Sequence, residues 1–416
     1  MPGSFGGAPT AVRNKQNEYS DLCESSPDLY IRYTYPKLLD RSRAAIANIL
    51  NAPVDTVVFV PNATTGVNTV IRNIVWNEDG KDEMLYFSTI YGACGNTIEY
   101  VAEVHNYKVN PRDIQLEYPI SDATLIQLFK NAIRASREAG RRPRLAVYDT
   151  ISSVPGLRMP FEELTKLCKE EGIISVIDGA HGVGLIPLDL SALDPDYFVS
   201  NAHKWLHVPR GCAVFYVPTR NQEYMRSTLP TSHGFQVRRQ AAKKLNPLPE
   251  TGKSAFVNNF EFNGTINTTN YAAVADTIIW REEVCGGEEA IMNYNISLAK
   301  TGSSKMAQIL GTEIMDNEEG TLTNCALVNI RLPLPIGDAS GEIKMKYTTQ
   351  VRDWMSKTLV DEFKTFIHLW EFQGKMWVRM SAQVYLDEGD FEWAGTVLKA
   401  LCARVLEKGD EFWEGL

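Results

Sequence analysis

The sequence predicts an α/β fold with a mostly parallel sheet. Strand and helix patterns alternate over residues 54 to 217, as they do where helices connect parallel strands. The run from 173 to 177 is short, β-branched and apolar, which is typical of a strand covered on both faces. A chain of 416 residues with 44% apolar content can bury a large core, and we expect two subdomains.

Elements of the first part follow in chain order. Residues 37 to 50 carry apolar side chains at helical spacing, and Asn51-Ala52-Pro53 ends that helix. The segments TVVFVPNATTGVNTVIRNIV and MLYFSTIYGACGNTIEYVAE each read as strand, turn and helix, and RLAVYD is another buried strand. Further strands are Tyr197–Ser200 and CAVFYVP. Residues 229 to 262 are less regular, and EFNGTINTTNYAAVADTIIW joins a turn to an amphipathic helix.

The pattern changes near residue 285. A long helix is followed by alternating strands, in ALVNIRLPL and MWVRMSA, and helices, which predicts a smaller α+β subdomain. The opening PGSFGGAPTAV is Gly-rich without helical periodicity and is predicted to be a loop. We therefore divide the chain into an N-terminal segment over 1–20, a large domain over 21–284 and a small domain over 285–416.

Composition excludes several classes of partner. A formal net charge of −9 and the lack of a long basic stripe argue against nucleic acid, and residues 238 to 244 are expected to be a solvated loop. Seven cysteines without a CxxC pair suggest a reducing compartment. No apolar run approaches the roughly 20 residues of a membrane span, and Met1 is followed by PGSFGG rather than a signal peptide. We expect a cytoplasmic protein without a metal site.

Two strand ends carry the chemistry. Asp178 follows the apolar run 173–177, and Asn201-Ala202-His203-Lys204 follows the next strand, so both should reach the sheet edge where α/β proteins bind ligands, together with His181. A carboxylate and a lysine in one crevice suit pyridoxal phosphate, since lysine can hold its aldehyde as a Schiff base while Asp keeps its pyridine nitrogen protonated. Lys204 and Asp178 fit those roles.

This stretch resembles the pyridoxal phosphate-dependent fold type I, class V aminotransferase-like superfamily. VIDGAHGVG is similar to its Asp-Gly-Ala-His/Gln segment, and SNAHKW to its Ser-x-x-His-Lys segment. The resemblance implies a large domain with a mostly parallel seven-stranded sheet between helices, CAVFYVP being the antiparallel strand, plus a smaller α+β domain. It also implies that His181, Asn201 and His203 bind the cofactor beside catalytic Asp178 and Lys204.

Further cofactor positions follow from the resemblance. The NATTG turn opens a helix whose first N–H groups can bind an anion, so Ala63, Thr64 and Thr65 are matched to the cofactor phosphate. An ordinary Thr N-cap is the alternative. Tyr91 falls where an aromatic ring stacks on the pyridine, although a core or surface tyrosine fits the sequence equally well. Ser152 or Ser153 is matched to the cofactor phenolate, and we take Ser153 as the candidate.

Two more resemblances concern substrate and subunits. Arg379, in WVRMSAQVY, is matched to the arginine that grips the substrate α-carboxylate, the alternative being a surface ion pair. Gly264-Thr265 resembles a Gly-Thr pair that reaches the phosphate in the neighbouring subunit, which implies a homodimer with shared sites. The chain departs from the family pattern at Thr150, where a His is usual, and at Asn267, where an Asp is usual.

The N-terminal segment resembles the Asn-His-Gly-Ser-Phe-Gly entry of isopenicillin N epimerase-like members, which lies over the active site. Pro2 stands where that motif has His, and the preceding strand is absent, so either a short enzyme or a trimmed chain is expected. Roles for Ser4 and Phe5 remain open at this point.

The expected reaction starts with an amino acid that displaces Lys204 from the cofactor in an external aldimine, after which Lys204 removes the α-proton. The branch resembled includes isopenicillin N epimerase-like proteins, hercynylcysteine sulfoxide lyases and a loline-biosynthesis cyclase. We predict a C–S lyase acting on an S-substituted cysteine or its sulfoxide. An epimerase or a Mannich-type cyclase of fungal secondary metabolism, and a non-catalytic binding protein, are the alternatives. Cys325 lies in an apolar run, which disfavours a desulfurase.

Overall fold

A computed structural model describes residues 3–226, 229–231, 233, 235, 237, 248–249, 251–339 and 341–415. Seven strands form the large sheet, in the order β1-β7-β6-β5-β4-β2-β3. Their bounds are β1 Val57–Val60, β2 Asp82–Phe87, β3 Val109–Ile114, β4 Arg142–Asp149, β5 Ile174–Asp178, β6 Tyr197–Ser200 and β7 Ala213–Tyr216. β7 pairs antiparallel with both of its neighbours, and the other pairs are parallel, as predicted.

Helices cover both faces of this sheet. Alternate residues of a strand enter different cores: Val57 and Phe59 pack with one set of helices, and Val58 and Val60 with the other. The helices are α1 Thr10–Ser25, α2 Pro27–Leu29, α3 Tyr35–Ile49, α4 Ala63–Asn73, α5 Gly92–Val104, α6 Asp122–Glu138, α7 Phe161–Glu171, α8 Leu190–Leu193, α9 Ala202–Trp205, α10 Ala255–Glu261, α11 Thr269–Ala272 and α12 Val274–Cys285. A π-helical turn, Tyr30–Thr34, joins α2 to α3.

The rest of the chain contains a second sheet. Its elements are α13 Gly287–Leu310, β8 Leu327–Arg331, α14 Thr348–Phe363, β9 His368–Phe372, β10 Lys375–Ser381, α15 Glu388–Leu406 and α16 Asp410–Glu414. The three strands are antiparallel with β10 in the middle, so the predicted strands in ALVNIRLPL and MWVRMSA are confirmed. The division into domains at residues 20 and 284 stays a prediction.

One expectation about the N-terminus is wrong in part. Residues 3–9 are non-helical, but α1 begins at Thr10, inside the stretch predicted to be a loop. Pro9 precedes the helix in an extended conformation, and only Val12 and Tyr19 of α1 are buried, so the helix shows almost no apolar periodicity. Pro2 and residues 238–244 lie outside the described residues. Within the described ranges, no helix is long and apolar enough to cross a membrane.

Candidate active site

The β5 end presents the predicted carboxylate. Asp178 is the last residue of β5 and is buried. Its Oδ1 accepts the Ala180 N–H at 2.9 Å, and its Oδ2 accepts the Cys94 S–H at 3.2 Å. Burial, and then the charge of Asp178, raises the pKa of Cys94 well above its ordinary value. Cys94 therefore serves Asp178 as a protonated thiol donor and is no nucleophile.

The predicted lysine lies close by. Lys204 sits in the short helix α9, directly after β6, the parallel neighbour of β5. Its Nζ lies 3.0 Å from His181 Nε2. Burial lowers the pKa of Lys204 to about 8, although the charge of Asp178 acts in the opposite direction. The free amine, which is the form that attacks an aldehyde, is therefore populated near neutral pH.

The two predicted histidines differ in position. His181 is buried, and its Nδ1 accepts the Trp205 indole N–H at 3.0 Å. Burial, and the nearby Lys204 charge, lowers the pKa of His181 well below its ordinary value, so its ring is neutral. His203 is turned away from this pair, since its Nδ1 lies 2.7 Å from the Cys212 carbonyl oxygen.

The start of α4 adjoins the β6 end. Asn201 Oδ1 accepts the Ala63 N–H at 2.8 Å, so two of the predicted cofactor-binding residues contact one another. Asn62 caps the helix by accepting from Thr65 N at 2.8 Å and Thr65 Oγ1 at 2.9 Å. The Thr64 N–H has no hydrogen-bond partner among the described residues. Thr64 is thus the first-turn donor that stays available for an anion.

The predicted carboxylate-binding arginine is buried rather than superficial. Arg379 is 5% exposed and donates through Nη2 to Ser4 Oγ at 2.8 Å, and through Nη1 to the Ser153 carbonyl oxygen. Its Nε is buried without a partner, and no described carboxylate pairs with it. Burial lowers the pKa of Arg379 to about 10. The alternative of a surface ion pair is therefore wrong.

Two predicted residues are exposed. Tyr91 directly precedes α5 and is 49% exposed, so its ring is accessible for stacking. Thr265 is exposed in the turn before α11. Asn267 Oδ1 accepts from the N–H of Thr269, the first residue of α11, at 3.0 Å. Thr150, the second departure from the family pattern, is buried, and its Oγ1 has no described partner.

Sequence reasoning assigned no role to Asp149. It is the β4 residue directly opposite Asp178 on β5, and it is buried. Its carboxyl group has no hydrogen bond to any residue that the structure describes. Burial, and then the charge of Asp178, raises the pKa of Asp149 well above its ordinary value, so it is the protonated carboxyl of the pair. Its position at a strand end beside Asp178 was the signal that could have identified it.

The N-terminal segment lies between α9 and β10. Gly6 has φ of +67°, and a Cβ there would collide with the His203 carbonyl oxygen. A Cβ on Gly3 would collide with Ser381 Oγ. The segment therefore runs from the β10 end, where Ser4 meets Arg379, to the backbone of Lys204, and Phe5 between them is 74% exposed.

Comparison with known proteins identifies the family. Residues 16–333 match the family model described as aminotransferase class-V, which is well over half of the chain. The chain belongs to this family. An L-cysteine desulfhydrase-like protein of Epichloe uncinata, lolT1, is 36% identical, and the match covers 97% of this chain and 92% of the relative. Hercynylcysteine sulfoxide lyase of Schizosaccharomyces pombe is 29% identical, covering 96% and 93%.

The solved structures show the fold. The cystine C-S lyase C-DES, in complex with its reaction product cysteine persulfide, superposes with a TM-score of 0.72 at 18% identity, covering 98% of this chain and 96% of that one. The class-V chain therefore has the fold type I architecture that its motifs predicted. Its cofactor is pyridoxal 5′-phosphate, and it is a pyridoxal phosphate-dependent enzyme.

The side chains fit that cofactor. Lys204 supplies an amine with a lowered pKa, and Asp178 a buried carboxylate oxygen that still has acceptor capacity beside the Cys94 thiol. Thr64 supplies an unpaired N–H at a helix start, where a phosphate is favoured. An aldehyde, a pyridine nitrogen and a phosphate would each meet the group that suits it.

Proposed function

We propose that this enzyme is a C–S lyase that cleaves an S-substituted cysteine, or its sulfoxide, by β-elimination. The observation that supports an amino acid substrate is Arg379, a buried guanidinium with an unpaired Nε and no described carboxylate partner. A buried cation of this kind is stabilised when a substrate carboxylate binds to it. The names of the two relatives, a desulfhydrase-like protein and a sulfoxide lyase, support the choice of a C–S bond.

The chain's own groups would divide the work as follows. Arg379 binds the substrate α-carboxylate, which orients the amino group towards Lys204. Asp178 accepts a hydrogen bond from the pyridine nitrogen, and Thr64 donates to the phosphate. Tyr91 covers one ring face, while His181, Asn201 and Ser153 line the cofactor site. Bound pyridoxal phosphate withdraws electrons from the α-carbon.

The proposed reaction balances with water as the co-reactant. The Lys204 amine takes the α-proton, the electron pair forms the Cα–Cβ double bond, and the C–S bond breaks with its pair on sulfur. Sulfur leaves as a thiol, or as a sulfenic acid from a sulfoxide, after it gains a proton. Water then hydrolyses the remaining enamine to pyruvate and ammonia. No oxidant or reductant is consumed.

The cysteines support elimination over sulfur transfer. A desulfurase needs a cysteine thiolate that attacks the substrate sulfur. Cys325 is fully buried, its thiol faces the Leu327 carbonyl oxygen at 3.3 Å, and burial raises its pKa to about 12. Cys94 is held as a donor to Asp178. Neither thiol suits nucleophilic attack.

We also propose a cytoplasmic location. All seven cysteines are unpaired, which supports a reducing compartment.

The test is pyruvate release from S-substituted cysteines and their sulfoxides by the cofactor-loaded enzyme. We expect rapid release that is lost in Lys204→Ala and unchanged in Lys166→Ala, a control at an exposed lysine. If no pyruvate forms but the substrate α-proton exchanges with D₂O, the lyase proposal fails and an epimerase or cyclase is the working alternative. If neither occurs and Lys204→Ala binds amino acids as tightly as the wild type, the chain is a binding protein.

We further propose a homodimer with shared sites. Thr265 is exposed in its own chain, in the turn before α11, which supports a contact with the partner's cofactor phosphate. Light scattering should give twice the chain mass. Mixing inactive Lys204→Ala with inactive Thr265→Ala, after dissociation and reassociation, should restore part of the activity, because half of the mixed dimers' sites contain neither substitution. No restoration would contradict shared sites.

A further inference from the structure

Three side chains form an unbroken row beside the cofactor site. Trp205 Nε1 lies 3.0 Å from His181 Nδ1, and His181 Nε2 lies 3.0 Å from Lys204 Nζ. The indole is fully buried and meets the imidazole edge-on, with ring centroids 6.3 Å apart. Each ring nitrogen of His181 thus has one partner: Trp205 at Nδ1 and Lys204 at Nε2.

The donors in this row fix where protons lie. An indole N–H can only donate, so Nδ1 of His181 must accept. Because the buried His181 ring is neutral, its single proton is then on Nε2 and points at Lys204. An ammonium group has donors and no acceptor, whereas a free amine has a lone pair that can accept this N–H. The row therefore suits Lys204 as a free amine and opposes its protonated form.

Other charged groups near Lys204 do not replace this partner. Asp178, on β5, accepts from Ala180 and Cys94, and it has no salt bridge with Lys204 at 4.0 Å or less. Asp149, on β4, is the protonated member of the carboxyl pair. Among the remaining titratable groups that act on the row, Arg379 on β10 and His203 on α9 oppose a positive charge, whereas Cys94 on α5 favours one on Lys204.

We propose that Trp205 is a positioning residue which, through its indole N–H, fixes the His181 tautomer and so presents Lys204 as the free amine that captures the cofactor aldehyde. This inference rests on the proposed role of Lys204. Without the indole N–H, the His181 proton can move to Nδ1, and Nε2 can then accept from a Lys204 ammonium. Protonated Lys204 would be stabilised, and capture would need a higher pH.

The substitution Trp205→Phe isolates the N–H from the rest of the side chain. Phe keeps an apolar ring in the buried position but has no donor. The backbone anchor of Trp205 is independent of the indole, since Arg281 Nη1 donates to the Trp205 carbonyl oxygen at 2.9 Å. Trp76→Phe is a matched control, because Trp76 is a buried tryptophan whose N–H has no described partner.

The first experiment measures how fast cofactor-stripped full-length protein captures pyridoxal phosphate at different pH values, followed by visible absorbance. For Trp205→Phe we expect the midpoint of the rate profile to rise by about one pH unit, so that capture near neutral pH is about tenfold slower and converges with the wild type at high pH. Titration of the free cofactor affects all proteins equally. A Trp205→Phe profile identical to those of the wild type and Trp76→Phe would overturn the proposal.

A double-substitution cycle separates the tautomer from packing. The Gln side chain has no tautomers, so Trp205→Phe should shift the capture profile in the wild type but not in a His181→Gln background. Equal shifts in both backgrounds would show that Trp205 acts through packing and would refute the proposal. The His181→Gln protein also assigns the His181 signals among the six histidines.

A measurement on the unmodified protein does not depend on how the variants fold. Nitrogen-15 NMR of the histidines in the cofactor-stripped protein should show His181 protonated on Nε2, and protonation on Nδ1 would overturn the proposal. The role of Lys204 is tested separately, because Lys204→Ala should form no Schiff base with the cofactor aldehyde. If Lys204→Ala still gives the Schiff-base absorbance, the proposed function fails. If it does not, and the His181 tautomer is the opposite one, only this inference fails.

Discussion

Asp149 and Asp178 lie side by side on neighbouring strands, and we expect substitution by Asn to affect turnover very differently at the two positions. Asp149 and Asp178 occupy matched positions on neighbouring strands and are both buried. Neighbouring strands lie about 5 Å apart, and two full charges at that distance repel by roughly 3 kcal/mol at an effective dielectric constant of about 20. Asp178 has two donors that stabilise its charge, and Asp149 has no hydrogen bond to a described residue. Asp149 should therefore stay neutral.

Replacing each by Asn tests this assignment. Asn has nearly the shape of a neutral carboxyl group, so Asp149→Asn should keep cofactor affinity and turnover within about threefold of the wild type. Asp178→Asn removes the charge that we propose pairs with the pyridine nitrogen. Breaking a buried charged pair costs about 3–5 kcal/mol, so turnover should fall by roughly 10²- to 10⁴-fold. Cofactor titration and steady-state kinetics measure both effects.

The pH dependence of stability gives a second readout. The pKa of Asp149 is raised in the folded protein, above the unfolded value of about 3.9. Its contribution to stability is therefore fully present below about pH 4 and is lost as pH rises through the folded pKa. Asp149→Asn does not titrate, so it should gain relative stability by up to about 1.4 kcal/mol per pH unit over that interval. Melting temperatures of cofactor-stripped protein at pH 5, 6 and 7 measure the trend.

Two results would refute the reasoning. If Asp149→Asn lost turnover as severely as Asp178→Asn, Asp149 would have to be charged in the working enzyme. If the difference in melting temperature between Asp149→Asn and the wild type did not change with pH, the Asp149 carboxyl group would have an ordinary pKa and no cost of ionisation.

Three further predictions test other parts of the site. Arg379→Lys should raise the KM for the amino acid about 10- to 100-fold with a smaller fall in kcat, because one donor fork is lost; an unchanged KM would place the carboxylate elsewhere. Gly6→Ala should displace the N-terminal segment from His203 and lower activity, whereas Gly7→Ala, with open space at its Cβ, should not; equal effects would refute this segment's close packing. Cys325→Ala should keep pyruvate release, and its loss would revive a cysteine nucleophile.

Much of the site could be predicted because strand ends are visible in the sequence. The apolar runs before Asp178 and Asn201 indicated buried parallel strands, and parallel strands deliver their last residues to the same edge. The proximity of Lys204 to His181 is confirmed on that basis. The seven-stranded sheet and its antiparallel β7 confirm what the family resemblance implied. The strand β3 was not predicted, because it contains Pro111, Arg112 and Asp113. An edge strand tolerates such residues, and β3 is at the edge.

Other features of the site leave no recognisable pattern in the sequence. Trp205 follows Lys204 directly, yet its contact with His181 depends on how a four-residue helix turns after β6. The protonated state of Asp149 depends on which residue lies abreast on the next strand, and that register is a tertiary property. The start of α1 could not be read either, because a helix with few buried residues has little periodicity.

The distribution of charge over these residues bears on how a substrate would be oriented. With Asp149 neutral, Arg379 is a buried cation among the candidate site residues that has no described carboxylate partner. A substrate α-carboxylate would then have one favourable place to bind, and the amino group on the same carbon would fall towards Lys204. Arg379 would therefore set the direction in which the amino acid binds, whereas the proposed Trp205–His181–Lys204 row acts earlier, when Lys204 captures the cofactor.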